Sequence, residues 1–273
     1  MRSKARSKIW ADAITGQHLY VSMLNYHHYS SNAANPPLLI VHGLFGSAKN
    51  WRGIGQRLAD RFSVYAVDLR NHGDSPWFNT HSYTDMADDL ANFITAKAPA
   101  MHVLGHSMGG KAAMMLALTR PQLVDKLILA DIAPVSYQHD QMRYITALKR
   151  LDLVSIQSRA DAQAGLAEDI DDPALCAFFL QSLDIATKTW KLNLDVLARA
   201  MPEILAFPDG ASRFEKDCLF LSGADSDYVT AAMRPQIKAR FPNARLAKIP
   251  KAGHWLHADR PAAFESAMRA FLG

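Results

Sequence analysis

The sequence predicts an α/β protein, a mostly parallel central sheet flanked by helices, with a helical segment inserted into it. Three observations carry this. Short apolar runs fit for strands buried on both faces alternate with stretches at helical spacing. That rhythm implies parallel strands joined by crossover helices, expected to be right-handed. From about residue 137 to residue 214 the rhythm breaks, and only helical patterns are found.

In order, Pro36-Pro37 precedes the strand LLIV, and the loop GLFGSAKNW leads to a helical stretch, WRGIGQRLADRF. The strand SVYAVDL follows and ends at RNHGDSP, after which a polar loop enters the helix YTDMADDLANFITAK. MHVLGHS reads as strand into turn, and MGGKAAMMLALTRP as a helix stopped by Pro121. KLILADIAP is the next strand. Then come DQMRYITALKRLDL, ADAQAGLAEDI, PALCAFFLQSL and LDVLARAMPEIL, with no strand candidate between them. The sheet resumes with CLFLSG, the helix TAAMRPQIKARF, the strand ARLAKIP and a final helix, PAAFESAMRAFL. The sheet is incomplete without the strands on either side of the insertion. The chain is therefore expected to be one core, residues 1–136 and 215–273, with residues 137–214 as a helical cap or lid.

Composition narrows the function. At 273 residues the chain suits one elaborated domain, and 49% hydrophobic with 21% charged residues excludes disorder. The net charge is only +4, with Lys and Arg scattered, so no nucleic-acid partner is expected. No run of about 18 or more apolar residues occurs, so no membrane span is expected. The basic opening, MRSKARSK, lacks the apolar stretch of a secretory signal, and a cytoplasmic location is expected. Cys176 and Cys218 lie far apart without CxxC spacing, against a zinc or thioredoxin-type site. The expected partner is a small molecule, the expected state a monomer or homodimer, and no metal or organic cofactor is expected.

The strongest local signal is Gly105-His106-Ser107-Met108-Gly109-Gly110, which fits G-x-S-x-G. The bare pattern is common, but here it joins the apolar run MHVL to the helix KAAMMLAL. Strand-to-helix is the setting that exposes a strained nucleophilic Ser107 above a sheet edge. The helix N-terminus behind it favours developing negative charge. An oxyanion needs two N–H donors. Met108 is the candidate for one. Leu44, ahead of Phe45, is the candidate for the other, in His42-Gly43-Leu44-Phe45-Gly46 directly after LLIV. His42 is expected to brace that loop.

Of 11 histidines, His254 alone follows the last strand in a loop able to reach Ser107, with His257 its competitor. Imidazole titrates near neutrality, which suits a general base. An acid must orient it. Asp131 ends LILAD, and Asp225 and Asp227 lie one strand later; both positions stay open on the residues alone.

HGLFGSAKNW, RNHGDSP, GHSMGGKAAM, DIAPVSY and AGHWLHADRP together resemble the small bacterial esterases of the YbfF type and their animal relatives, the ABHD11-like hydrolases. The resemblance runs from about Asn25 to the C-terminus. It implies an α/β-hydrolase fold with the helical cap inserted after the sixth strand. It also implies carboxylesterase activity on short- to medium-chain acyl esters, with acyl-CoA thioesters as a further class. Ser107 then matches the nucleophile and His254 the base. In this group the later-loop register of the acid holds a serine, matched by Ser226, and the acid moves to Asp131. Flanking Ser226 with Asp225 and Asp227 departs from that pattern, so Asp225 stays the alternative. Phe45, Phe178, Phe179 and Trp190 are expected to build an apolar acyl pocket. Haloperoxidases without cofactor and carbon–carbon hydrolases share the same triad and differ by substrate. A silent ligand-binding protein on this fold is the non-enzyme alternative, separable by fluorophosphonate labelling.

Overall fold

The computed structural model describes residues 23–273; the basic opening of the chain lies outside the described residues. The first half runs β1 (Tyr26–Tyr29), β2 (Leu38–Val41), α1 (Arg52–Leu58), β3 (Val64–Val67), α2 (Tyr83–Thr95), β4 (Met101–His106), α3 (Met108–Thr119) and β5 (Val124–Ala130). The inserted segment holds α4 (Met142–Arg150), α5 (Arg159–Leu166), α6 (Pro173–Leu180), β6 (Leu183–Asp184), β7 (Thr189–Trp190) and α7 (Leu194–Leu205). The chain then completes β8 (Cys218–Gly223), α8 (Arg234–Arg240), β9 (Ala244–Ile249), α9 (Leu256–Asp259) and α10 (Pro261–Leu272).

Among the described residues, seven strands form one sheet in the order β1-β3-β2-β4-β5-β8-β9. Within that sheet only β1 and β3 pair antiparallel. Every residue of β2, β4 and β8 is buried, as expected of strands covered on both faces. Successive side chains point to opposite faces and so feed two cores. Leu39, Val41, Val103, Leu129 and Phe220 pack with α2, α3 and the inserted helices. Leu38, Ile40, Leu104, Ile128 and Leu221 pack with α1 and α10 through Ile54, Leu58, Phe264 and Met268. α3 lies against both the sheet and α2, which is why it is apolar nearly all round. No helix among the described residues is long and apolar enough to cross a membrane.

The inserted segment departs from expectation in two ways. It follows β5, the fifth strand among the described residues and not the sixth, because only β1 lies outside β3 there. It is also not wholly helical: β6 and β7 form a hairpin, pairing Leu183 with Trp190 and Asp184 with Thr189.

The segment leaves and rejoins the core at one stem. The Tyr137 N–H donates to the Leu205 carbonyl at 2.9 Å. The buried Lys111 of α3 reaches the same place, its Nζ donating to the Leu205 and Ala206 carbonyls at 2.8 and 2.7 Å. Carbonyls at the end of a helix lack partners within it, and a cation suits that negative pole. Burial pushes Lys111 down to about 7.

Candidate active site

Parallel strands deliver their C-terminal ends, and the loops that follow, to one edge of the sheet. β4 runs into Ser107, β5 into Asp131, β8 leads to Ser226, and β9 leads to His254. Ser107 adopts φ 52 and ψ −123, the strained turn the motif requires. A side chain at Gly105 would collide with the Gly109 and Gly110 backbone, and one at Gly109 with the His42 carbonyl. These two glycines let α3 turn back directly against β2 and β4.

His254 bridges two groups. Its Nε2 lies 3.1 Å from Ser107 Oγ and its Nδ1 lies 2.8 Å from Asp131 Oδ2. Asp131 is fully buried and sits at φ 51, just past the end of β5. Its carboxylate also accepts the Gly223 N–H at 3.1 Å and the Ser226 hydroxyl at 2.5 Å. A buried carboxylate needs such donors in place of water. Asp225 and Asp227 are exposed, and neither side chain is bonded to His254. Of the two open positions, the geometry therefore brings Asp131 to the imidazole.

Other histidines surround the group without joining it. His106 Nε2 donates to the His254 carbonyl at 2.9 Å, and burial holds its ring well below the usual range. His257 stacks on Trp51 at 4.2 Å, and burial pushes it down to about 3. His42 accepts the Leu69 N–H at Nε2, donates from Nδ1 to the Gly43 carbonyl, and is pushed by burial down to about 4. It braces the loop, as expected. In that loop Phe45 takes φ 64, and Gly46 N–H closes a turn on the Gly43 carbonyl. The amides of Leu44, Phe45 and Met108 donate to no other group among the described residues.

A cleft of about 260 Å³ opens over Ser107, with Leu44, Phe45, Phe178 and Phe179 among its walls. Trp190 is not one of them. Its indole N–H donates to the Leu148 carbonyl at 3.0 Å, so the ring is packed between the hairpin and α4. Two cleft residues passed unnoticed in the sequence. Tyr228 stacks on the His254 ring at 3.7 Å. The Tyr137 hydroxyl accepts the Ala133 N–H at 2.8 Å and donates to the Tyr228 carbonyl at 2.7 Å. Tyr137 closes the DIAPVSY segment, which suggests no role for it, and no motif marks Tyr228; both tyrosines lie just beyond the strand ends that carry the candidate acids.

A family model described as alpha/beta hydrolase fold matches residues 36–261. The sn-1-specific diacylglycerol lipase ABHD11 of Mus musculus is 35% identical over 260 residues, which is 91% of this chain and 85% of that protein. Esterase YbfF of Escherichia coli (strain K12) is 35% identical over 242 residues, 87% of this chain and 93% of its own. A solved marine microorganism esterase superposes with a TM-score of 0.87 at 37% identity, covering 91% of this chain and 99% of its own. The chain belongs to the α/β-hydrolase family and is an enzyme of that family's serine-hydrolase kind.

Proposed function

We propose that the protein hydrolyses carboxylic esters of short to medium acyl chain through an acyl-enzyme on Ser107. One observation carries this reading: His254 bridges Ser107 and a buried Asp131 at the foot of a cleft walled mainly by apolar side chains. The names of its relatives, esterase and diacylglycerol lipase, support an ester as the bond that is cut.

Asp131 accepts a hydrogen bond from the Nδ1–H of His254, which leaves the Nε2 lone pair facing Ser107. As Oγ attacks the ester carbonyl, its proton passes to Nε2 and the carbonyl electrons move onto oxygen. The amides of Leu44 and Met108 hold that oxyanion. Its collapse expels the alcohol, which takes the proton from His254. Water then attacks the acyl carbon and loses a proton to His254; collapse releases the acid as His254 returns that proton to Ser107 Oγ. Residues 137–214 act as a cap over the cleft, and Phe178 and Phe179 of α6 limit acyl length.

The test is p-nitrophenol release from an acetyl-to-decanoyl ester series. Turnover by the wild type that vanishes in Ser107→Ala supports the reading. A wild type that cuts no ester and takes no fluorophosphonate label overturns it. An unaltered chain-length profile in Phe178→Ala and Phe179→Ala removes those rings from the acyl pocket.

A further inference from the structure

The two hydrogen bonds of His254 lie in the plane of its ring. They fix where the nitrogens sit within that plane, yet they resist tilting out of it only weakly. Tyr228 covers one ring face, with centroids 3.7 Å apart and planes 18° apart. On the other groups around the ring, His106 lies at 4.8 Å, tilted by 40°, and Trp255 stands edge-on at 5.6 Å.

We infer that Tyr228 is a positioning residue for the proposed reaction: its aromatic face holds the His254 imidazole in plane with Ser107 and Asp131 and stabilises the imidazolium formed as Ser107 is acylated. The inference rests on the triad reading above. An aromatic face is the negative part of its quadrupole and attracts a stacked cation, most strongly where water is excluded.

Tyr228 is built into the site and not merely beside it. Its N–H donates to Ser226 Oγ at 3.2 Å, the oxygen whose proton goes to Asp131. Its carbonyl accepts the Tyr137 hydroxyl at 2.7 Å, and Tyr137 in turn accepts the Ala133 N–H two residues past Asp131. Acid and stacking ring are thus set by one chain of hydrogen bonds. The Tyr228 ring also meets His139 at 4.3 Å, tilted by 45°. The titratable groups near the imidazole are Asp131, His106, His257 and Tyr228. Burial holds His106 and His257 neutral, and burial with the Asp131 charge pushes Tyr228 up to about 12, so its ring stays a phenol.

The experiment compares Tyr228→Phe, which keeps the face, with Tyr228→Leu, which removes it. Readouts are kcat and KM for p-nitrophenyl butyrate and the rate of fluorophosphonate labelling, with Ser107→Ala as the blank. The expected result is near wild-type kcat in Tyr228→Phe and a loss of about tenfold in kcat and labelling rate in Tyr228→Leu, with KM little changed. Wild-type kcat in Tyr228→Leu overturns the inference, as does equal loss in Tyr228→Phe, which would assign the effect to the hydroxyl. Should Tyr228→Leu fail to fold, phenylalanines of rising fluorine content at position 228 decide: kcat falling stepwise supports the role, and a flat series overturns it. A wild type without turnover or label instead defeats the triad reading itself, so the two failures are distinguishable.

Discussion

Asp131→Asn probes the proposed triad most sharply, because the structure dictates how the amide must sit. Asp131 Oδ1 faces the Gly223 N–H, while Oδ2 faces the Ser226 hydroxyl and His254 Nδ1. An amide keeps its oxygen toward Gly223, since its NH2 there would meet another donor. That orientation aims the NH2 at His254. The imidazole then has to present its Nδ1 lone pair, so its proton moves to Nε2 and points at Ser107. A base in that tautomer cannot accept the serine proton. Loss of the correct tautomer at such a site costs about 10⁴-fold in kcat, or about 5.4 kcal/mol. Folding should change far less, because the Gly223 bond survives and the Ser226 hydroxyl can turn to accept. The assay is p-nitrophenyl butyrate hydrolysis beside Asp225→Asn, whose exposed side chain predicts wild-type rates. If Asp131→Asn keeps more than about a tenth of wild-type activity, the tautomer argument is wrong. If Asp225→Asn is the variant that dies, the acid belongs to the later loop.

Acid should unfold the protein through its buried neutral histidines. His42 is lowered from 6.5 to about 4, and His72 and His257 to about 3, all chiefly by burial. Each folded pKa lies below its unfolded value, so this contribution is complete above about pH 6.5 and falls away as pH drops, because the unfolded chain takes protons the fold refuses. His42 alone loses roughly 2–3 kcal/mol by pH 4.5. Chemical denaturation across pH 4 to 7 measures the slope, and a flat profile refutes it. Gly109→Ala presses a methyl onto the His42 carbonyl and should destabilise by about 3 kcal/mol or give insoluble protein; an unchanged melting temperature contradicts the close approach. Tyr137→Phe strands the Ala133 N–H and should cost about 2 kcal/mol, or roughly 4–8 °C in Tm by calorimetry; no shift would mean water replaces the hydroxyl.

What could be read from the sequence follows from what each residue's neighbours supply. β2, β4 and β8 are buried on both faces, so their apolar runs announced them without help. β1 did not, because YHHY is a polar edge strand whose identity comes from pairing with β3 and from His28 stacking on Tyr65. The β6–β7 hairpin went unread because two residues carry no period, and its turn places Lys188 at φ 56 where a glycine would have been the signal. That Ser107 and His254 would meet was legible from motif and order, and their side chains lie 3.1 Å apart. The choice between Asp131 and Asp225 was not, since it depends on which carboxylate meets the Gly223 N–H and the Ser226 hydroxyl across 92 and 95 residues of chain. Trp190 departs from expectation for a related reason: an aromatic among helices suits a pocket wall, but its N–H finds an acceptor in α4 instead.

The closed stem at Tyr137 and Leu205 bears on how such an enzyme changes over evolutionary time. Entry and exit of the inserted segment are bonded to each other, so its length and sequence can vary without altering the register of the sheet. A longer excursion between joined ends adds little entropic cost. The groups proposed for chemistry sit on the sheet side of the cleft, and much of the wall that meets a substrate sits on the excursion. Selection can therefore exchange one half of the cleft while leaving the other intact, and a transplanted segment that keeps the two stem residues is a route to new substrate preferences on unchanged sheet-borne residues.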